Sequence, residues 1–438
     1  YLGSFFLITS LISFLNILYC YYFKIYFSLD AFVYLLLISL TISFILFVQE
    51  KKNTKPNIFE KILFVISGYL FIPLIFSVPY YFGNYNISFI DSYFESVSGF
   101  TSTGFTIFDN IKHIDESLII WRSSTQWIGG LYFLFSIIYL IDIYDESFKK
   151  TLTNFISFNS SEILKQATKI FILYSSLTIL IFGVLNIFSI RTFDSLNLAL
   201  TIISSGGFLP VNELSMIIKE NVQIIIFSLL MLFSFFSLFF SYNLIFLRKK
   251  NVNFFYEDLH LFVYLVVVVT IFFLFFSFNY DFFINLFAII SSMTNIGFSL
   301  SPGQENLNFI YLILVIIGGS FFSTSSGLRF IKIYSLFKFS LNQILSFSRP
   351  KNVFMNKLIF TKINFNLDEI NKYFLTIIIF IMSLFVLTSL LSLSGITFIN
   401  SFKLSILTLM NTVNSSIYGL KEFDFYNLQL FSKYCLIF

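Results

Sequence analysis

Three short segments of the chain combine small polar residues with a glycine and a following aromatic residue. They are TSTGF (101–105), SSGGF (204–208) and TNIGF (294–298), and their glycines lie 103 and 90 residues apart. A fourth segment, NSSIY (414–418), has Ile417 where the others have glycine. None carries a carboxylate, which a divalent-cation site would favour. What such segments offer is backbone oxygen, and a ring of carbonyl dipoles can replace the water around a monovalent cation.

Each segment ends an apolar stretch that is too short to cross a membrane, at about 90–104, 193–207, 283–297 and 399–417. We predict re-entrant half-helices, which membrane depth tolerates only where protein or a water-filled path surrounds them. A half-helix that ends there leaves its last carbonyls without helical partners and adds partial negative charge. Glycine lets the backbone beyond it adopt a positive φ. Glycine and serine also serve close helix packing, but three copies of one pattern favour an ion filter.

The composition requires a membrane protein. Of the 438 residues, 57% are hydrophobic and 11% are charged, and the mean hydropathy is +0.86. A soluble domain carries about 25% charged residues. Apolar runs long enough for a hydrocarbon layer of about 30 Å recur along the whole chain. The predicted spans are 4–28, 31–48, 61–82, 118–143, 168–190, 221–247, 258–279, 306–325, 371–394 and a last one from about 427.

Nineteen of the 27 lysine and arginine residues fall in four clusters between predicted spans. All four clusters share one side of the membrane only if each half-helix returns to the side from which it came. The positive-inside rule then places the clusters in the cytoplasm and the half-helices at the outer face. The clusters are Lys51, Lys52, Lys55 and Lys61; Lys149, Lys150, Lys165 and Lys169; Arg248, Lys249 and Lys250; and Arg329, Lys332, Lys338, Arg349, Lys351, Lys357, Lys362 and Lys372.

These patterns predict an all-α integral membrane protein with two leading helices and four helix–pore loop–helix repeats around a central ion pore. The recurrence of one unit along the chain is an internal repeat. The predicted boundaries are 1–50 for the two leading transmembrane helices, 51–150 for the first pore repeat, 151–252 for the second, 253–345 for the third with its broken second helix, and 346–438 for the fourth.

Little in the sequence suits catalysis. The two cysteines, Cys20 and Cys435, and the two histidines, His113 and His260, suggest no disulfide framework, metal cluster or proton relay. No predicted span holds a histidine or acidic constellation suited to acid–base chemistry. No glycine-rich phosphate loop follows a strand. The sequence therefore predicts neither an enzyme nor a bound cofactor, and it predicts lipid rather than nucleic acid as its surroundings.

The same residues resemble the Trk/Ktr/HKT superfamily of potassium-uptake proteins, and specifically its Trk-type membrane subunit. FESVSGFTSTGFT (94–106) and IIWRSSTQWIGG (119–130) are similar to the family's first pore loop and the helix after it. FDSLNLALTIISSGGF (193–208) and SSMTNIGF (291–298) are similar to the second and third loops. IGGSFFSTSSGLRFIKIYSLFK (317–338) is similar to the broken helix that follows. The resemblance covers essentially the whole chain, and the two leading spans favour the Trk-like branch.

The resemblance implies which residues act. The substrate, potassium, would bind carbonyls of Ser102, Thr103, Gly104, Ser205, Gly206, Gly207, Asn295, Ile296 and Gly297. The fourth set would be Ser415, Ser416 and Ile417. Ile417 departs from the family's glycine, so either this strand is distorted or the register is shifted by one or two residues. Gly104 favours potassium, since sodium-selecting plant relatives tend to carry serine there. An intramembrane gating loop would comprise Gly318, Gly319, Ser323, Thr324, Ser325, Ser326 and Gly327.

The resemblance also implies location and partners. The chain would be a multi-pass protein of the plasma (inner) membrane, with its pore loops outside and its basic loops in the cytoplasm. A separate cytoplasmic nucleotide-binding subunit would regulate it, and it would form a homodimer with one pore per chain. The chain starts at Tyr1 and its last apolar stretch, 425–438, is short. We therefore expect trimming at both ends and the family's basic gate residue beyond Phe438.

The sequence also suggests roles for two charged residues near the first segment and one alternative function. Arg122, which lies between Trp121 and Trp127, is expected to anchor a helix at the outer interface. Glu95 is expected to be a solvated residue of a half-helix. The alternative is a non-conducting membrane scaffold or assembly subunit of a transport complex, and Ile417 is its main support.

Overall fold

The fold begins with a helical hairpin that lies outside the repeating part of the molecule. Helices α1 (Leu2–Phe23) and α2 (Leu29–Val48) pack along each other. Ser13 Oγ donates a hydrogen bond across their interface to the carbonyl of Phe32 at 2.7 Å. Such interhelical bonds from small polar residues hold helices together in lipid. The computed structural model describes residues 2–49, 56–140, 163–245, 256–276, 281–301, 306–347, 367–420 and 423–438.

Four units follow, and each contains a long helix, then a helix of twelve residues, then a further helix. The first unit comprises α3 (Ile58–Phe76), α4 (Val78–Tyr81), α5 (Phe89–Phe100) and α6 (Glu116–Tyr139). The second comprises α7 (Ile163–Ile187), α8 (Thr192–Ile203), α9 (Asn221–Phe235) and α10 (Leu238–Ile245). The third comprises α11 (Tyr256–Phe276), α12 (Phe282–Met293), α13 (Asn308–Ile316), strands β1 (Ile317–Gly318) and β2 (Leu328–Arg329), and α14 (Phe330–Ser346). The fourth comprises α15 (Leu367–Leu393), α16 (Phe398–Leu409) and α17 (Leu430–Ile437).

Helix length separates the elements that can cross a bilayer from those that cannot. Among the described residues, six stretches are long and apolar enough to cross: α1, α2, α3 with α4, α7, α11 and α15. The twelve-residue helices α5, α8, α12 and α16 reach only about 18 Å, far less than the hydrocarbon layer. Helix α6 is as long as a span but is buried in protein along nearly its whole length. These elements confirm the predicted all-α multi-pass membrane fold.

In each unit, the helix that follows the twelve-residue helix packs against the twelve-residue helix of the next unit. Helix α6 contacts α8, α9 contacts α12, α13 contacts α16, and α17 of the fourth unit returns to α5 of the first. At this return contact, Lys433 Nζ donates to Asp91 Oδ1 in an ion pair. The four units therefore form a closed ring in chain order. Units one and three face each other across its centre, as do units two and four.

One predicted span is wrong in its continuity. The span 221–247 is interrupted after α9 at Phe236, whose ψ of 162° is extended, and the chain then resumes as α10. Backbone groups at this break bond to partners outside their own helix, which sequence periodicity does not reveal. The span 306–325 ends as a helix at Ile316 and continues as β1 and a loop, within the unit for which a broken second helix is predicted. The predicted basic clusters fall partly outside the described residues, at 51–55, 149–150, 248–250 and 349–362.

Candidate functional site

The four twelve-residue helices end in the same way, at a polar residue with a left-handed backbone. Ser102, Ser205, Asn295 and Asn411 have φ values of 60°, 55°, 60° and 43°. In three of the units the next amide donates to the carbonyl five residues earlier, which is the Schellman ending of a helix. Asparagine is the residue other than glycine that adopts this conformation most readily. The four positions are therefore equivalent and define one register for all units.

This register corrects the prediction for the fourth unit. Helix α16 ends at Leu409, so the set 415–417 lies four residues beyond the equivalent position. Ser416 and Ile417 belong instead to a 3-10 turn that ends at the left-handed Gly419. The helix end fixes the register, and Tyr418 therefore does not correspond to the aromatic residues that follow the glycines of the other units. The four equivalent stretches, which we call the axial segments, are 102–104, 205–207, 295–297 and 411–413.

The axial segments contact one another around a closed circuit. Side chains join the first segment to the fourth, the second to the residue preceding the third, and the third to the fourth. The bonds run from Thr103 Oγ1 to Asn411 Oδ1 (3.3 Å), from Ser205 Oγ to the carbonyl of Thr294 (2.6 Å) and from Asn295 Nδ2 to Thr412 Oγ1 (3.3 Å). The nine residues predicted for the first three segments therefore meet around one centre, and the fourth place is filled by 411–413.

Glycines close the circuit because no side chain fits where the segments meet. A Cβ added to Gly104 would lie 2.8 Å from the Cα of Gly207, and one added to Gly207 would lie 2.3 Å from the Cβ of Val413. A Cβ on Gly297 would lie 2.9 Å from Val413 Cγ1. Gly104 and Gly297 also have φ values of 82° and 79°, which strain other residues. Val413, at the fourth glycine position, packs against two of these glycines.

The backbone oxygens of the axial segments are available to a ligand. Within the described ranges, no protein donor hydrogen-bonds to the carbonyls of these twelve residues. Ser98 Oγ donates to the carbonyl of Phe105 at 2.6 Å, and Ser291 Oγ to that of Phe298 at 2.9 Å. These bonds fix the chain just after the first and third segments. In the described part of the chain, no group of three or more His, Cys, Asp or Glu side chains could hold a metal ion.

The axial segments form the floor of an open cavity of about 340 Å³. Its walls include the acidic residues Asp109, Glu213 and Asp424, together with Ser415 and Ser416 of the predicted fourth set. Burial, and then the nearby Asp424 carboxylate, raise the pKa of Asp109. Acidic groups around such a mouth raise the local concentration of cations.

A buried ion pair lies behind the first axial segment. Arg122 Nε donates to Glu95 Oε1 at 2.9 Å, and the two side chains are 1% and 0% exposed. Glu95 also accepts the backbone N–H of Ile107 at 2.9 Å, and the Arg122 guanidinium lies 4.2 Å from the ring centre of Phe208, in cation–π contact. Arg122 is therefore not an interfacial anchor and Glu95 is not solvated. Sequence reasoning missed the pair because its members lie 27 residues apart and leave no local pattern.

The predicted gating loop, 318–327, lies against the axial segments on the side away from the cavity. Strands β1 and β2 pair in parallel and close its neck. A Cβ on Gly318 would lie 1.9 Å from the carbonyl oxygen of Ser326. Gly327 has a φ of 76°. The neck therefore requires both glycines.

Side-chain hydrogen bonds tie this loop to the helix ends around it and to its own neck. Thr324 Oγ1 donates to the carbonyl of Ile203 at the end of α8, at 2.7 Å. Ser325 Oγ donates to the side-chain oxygen of Asn295, an axial-segment residue, at 2.9 Å. Arg329 Nη1 donates to the carbonyl of Ser325 at 2.7 Å. The loop is thus bonded directly to two of the four helix ends that form the circuit.

Known proteins share both sequence and fold with this chain, although no family model matches it. An uncharacterised cation transporter of Methanocaldococcus jannaschii is 26% identical over 357 residues, covering 76% of this chain and 71% of the relative. The Trk system potassium uptake protein TrkH of Halomonas elongata is 24% identical, covering 67% of this chain and 66% of the relative. The corresponding values for TrkG of Escherichia coli are 23%, 70% and 66%. The chain thus matches about two thirds of the length of these two Trk proteins.

A solved structure extends the likeness to the whole fold. The crystal structure of the potassium transporter TrkH from Vibrio parahaemolyticus superposes with a TM-score of 0.85. The match covers 100% of this chain and 93% of that one, at 18% sequence identity. The resemblance inferred from the sequence is thereby confirmed, and the chain is similar in sequence and in fold to the Trk-type membrane subunits of the Trk/Ktr/HKT superfamily.

Proposed function

We propose that the chain takes up potassium ions across the cell membrane through a selectivity filter formed by the four axial segments. One observation carries the proposal: four backbone segments in equal register meet around a closed circuit, with carbonyl oxygens that no protein donor in the described residues occupies. Uncharged oxygen dipoles suit a monovalent cation that must also leave. The similarity to two Trk system potassium uptake proteins supports the same ion and a transporter rather than an enzyme.

The proposed ligands differ from the sequence prediction only in the fourth unit. Ser415 and Ser416 become residues of the outer cavity, and Ile417 packs in the 3-10 turn. The proposed potassium ligands are the carbonyls of Ser102, Thr103, Gly104, Ser205, Gly206, Gly207, Asn295, Ile296, Gly297, Asn411, Thr412 and Val413. No bound cofactor enters this proposal, and potassium is its substrate.

The 318–327 loop is the proposed gate. It would block the path below the filter in the arrangement described, held by Thr324, Ser325 and Arg329. Its serine and threonine hydroxyls can find new partners after it moves, because each both donates and accepts hydrogen bonds. Opening would therefore be a two-state switch of one segment.

The proposal also includes orientation and partners. The cavity would face outside the inner membrane and the basic ends of the helices would face the cytoplasm. A cytoplasmic nucleotide-binding subunit would open the loop, and two chains would pair with one pore each. The units would correspond to the predicted boundaries 51–150, 151–252, 253–345 and 346–438 after the leading pair 1–50.

Ion flux into vesicles that contain the purified full chain tests the proposal. Potassium influx driven by a negative interior should exceed sodium influx under matched gradients. Gly104→Ser should reduce the preference for potassium, because its Cβ would meet Gly207. Gly183→Ala is the matched control, since a Cβ at Gly183 meets nothing within 4 Å. Equal potassium and sodium rates in the unaltered chain would contradict a potassium filter.

A non-conducting scaffold is the second candidate, and Val413 favours it. This residue stands where the other segments have glycine, and it packs against Gly207 and Gly297. Expression in cells that lack potassium uptake separates the two functions. Growth at low potassium supports the pore. Normal membrane insertion without growth, with the cytoplasmic partner present, supports the scaffold.

A further inference from the structure

The break between α9 and α10 has no cause within its own sequence. Residues 221–247, NVQIIIFSLLMLFSFFSLFFSYNLIFL, contain neither glycine nor proline. Sharp helix breaks almost always have proline, a Gly/Ser pair, a π-bulge or an inserted group as their cause. Proline and a Gly/Ser pair are absent from this stretch, and its described residues, 221–245, contain no π-helical turn. Groups inserted from outside therefore account for the break.

Those groups belong to the 318–327 loop. In an uninterrupted helix, the carbonyls of Ser234 and Phe235 would accept the amides of Leu238 and Phe239. Groups of the loop replace these helix partners. Two loop amides donate to the helix carbonyls before the break, and one loop carbonyl accepts a helix amide after it. The bonds run from Ser320 N to the carbonyl of Phe235 (3.0 Å), from Ser325 N to the carbonyl of Ser234 (3.0 Å), and from Leu238 N to the carbonyl of Phe322 (2.9 Å).

Two adjacent carboxylates at the start of α11 hold the same junction. Asp258, 3% exposed, accepts the N–H and the hydroxyl of Ser237, each at 2.8 Å. Ser237 Oγ in turn accepts the amide of Phe240 at 3.2 Å, which caps the N-terminus of α10. Glu257 accepts the amide of Phe321 in the loop at 2.8 Å. One carboxylate thus holds the broken helix and its neighbour holds the loop.

We propose that the break is the second half of the gate, and that residues 221–245 become one continuous helix when the loop leaves. This inference rests on the proposed function. Each helix carbonyl that the loop releases regains an amide from its own helix, so the carbonyls of Ser234 and Phe235 stay paired in both forms. Asp258 is a positioning residue that favours the broken, closed form. The loop and the helix are bistable together because they exchange the same hydrogen bonds.

Two substitutions should move conduction in opposite directions. Ser237→Pro prevents a continuous helix, and Phe236 already has the extended backbone favoured before proline. The substitution also removes both hydrogen bonds to Asp258, so its effect tests the continuous helix and not the hold of Asp258 on the break. Potassium uptake by cells containing the full complex should fall at least tenfold. Asp258→Asn weakens the hold on the break, so flux through the chain alone in vesicles should rise at least threefold. Loss of flux in both variants, or in neither, would overturn the proposal.

A distance measurement tests the helix itself. Spin labels are placed at Leu229 and Leu244, both 57% exposed on opposite sides of the break, after Cys20 and Cys435 are replaced by serine. A continuous helix would separate the two backbones by about 22 Å. Asp258→Asn should add a population at that distance, and Ser237→Pro should show only the resting distance. If Asp258→Asn gains this population but neither the unaltered chain nor any variant conducts potassium, the proposed function fails and the switch stands. If the population never forms, the switch fails.

Discussion

The first three axial segments and the fourth reach the same backbone arrangement with different residues. Each of the first three ends in glycine, and at Gly104 and Gly297 the backbone has a positive φ. The fourth ends in Val413, yet its helix end and its left-handed Asn411 match the others. The helix ending therefore sets the position of a segment, whereas the glycine sets how closely its neighbours approach.

The fourth segment also joins the circuit by its side chains. Thr412 is fully buried and accepts a hydrogen bond from Asn295. Val413 occupies the space beside Gly207 and Gly297, which a glycine would leave open. The side chain of the fourth segment therefore fills the space beside two of the glycines.

The largest effect should come from making one of the glycine segments resemble the fourth. Gly297→Ala should reduce potassium flux at least about a hundredfold, since the positive φ is strained for alanine and the new Cβ would lie 2.9 Å from the carbonyl oxygen of Val413. Initial rates of potassium influx into vesicles measure it, with Gly183→Ala as the control. Unchanged flux would show that Gly297 is no more constrained than position 413.

The second effect concerns the charges that support the first two segments. Glu95→Gln leaves the Arg122 guanidinium buried without its partner charge, at a cost of about 3–5 kcal/mol. The melting temperature of the detergent-solubilised protein should fall markedly. A double replacement, Glu95→Gln with Arg122→Met, should recover part of this loss. Equal stability of the single and double variants would mean that the ion pair does not set the geometry of these segments.

The sequence predicted the first three segments because each carries a local signal, a small polar tip followed by Gly and an aromatic residue. The fourth lacks that signal. Its twelve-residue helix followed by an asparagine two residues past the end would have located it, because the left-handed ending favours asparagine. The helix break at Phe236 and the Glu95–Arg122 pair were not predictable, since their causes lie 21 to 90 residues away along the chain.

An intermediate effect concerns the contact between Gly207 and Val413, the residue that distinguishes the fourth segment. Gly207→Ala alone should impair flux, because its Cβ would meet the Cβ of Val413 at 2.3 Å. The double variant, Gly207→Ala with Val413→Gly, should have about tenfold higher flux than Gly207→Ala alone. A coupling of this size is within the range found for residues in direct contact. Vesicle influx of the two single variants and the double variant gives the cycle. Additive losses would place Val413 outside the circuit.

The smallest effect concerns the mouth above the segments, where Asp109 lies near Asp424. The raised pKa of Asp109 means that its carboxylate becomes neutral at a higher pH than an ordinary aspartate does. As the pH falls into the range where Asp109 takes up a proton, cation attraction weakens, and the potassium concentration for half-maximal flux should rise about twofold. Asp109→Asn has no such charge to lose, so its pH dependence should be flatter over the same range. Parallel pH profiles in the two proteins would assign the cation attraction to the other acidic residues of the cavity wall. Cations would then be concentrated above the four axial segments without a contribution from Asp109.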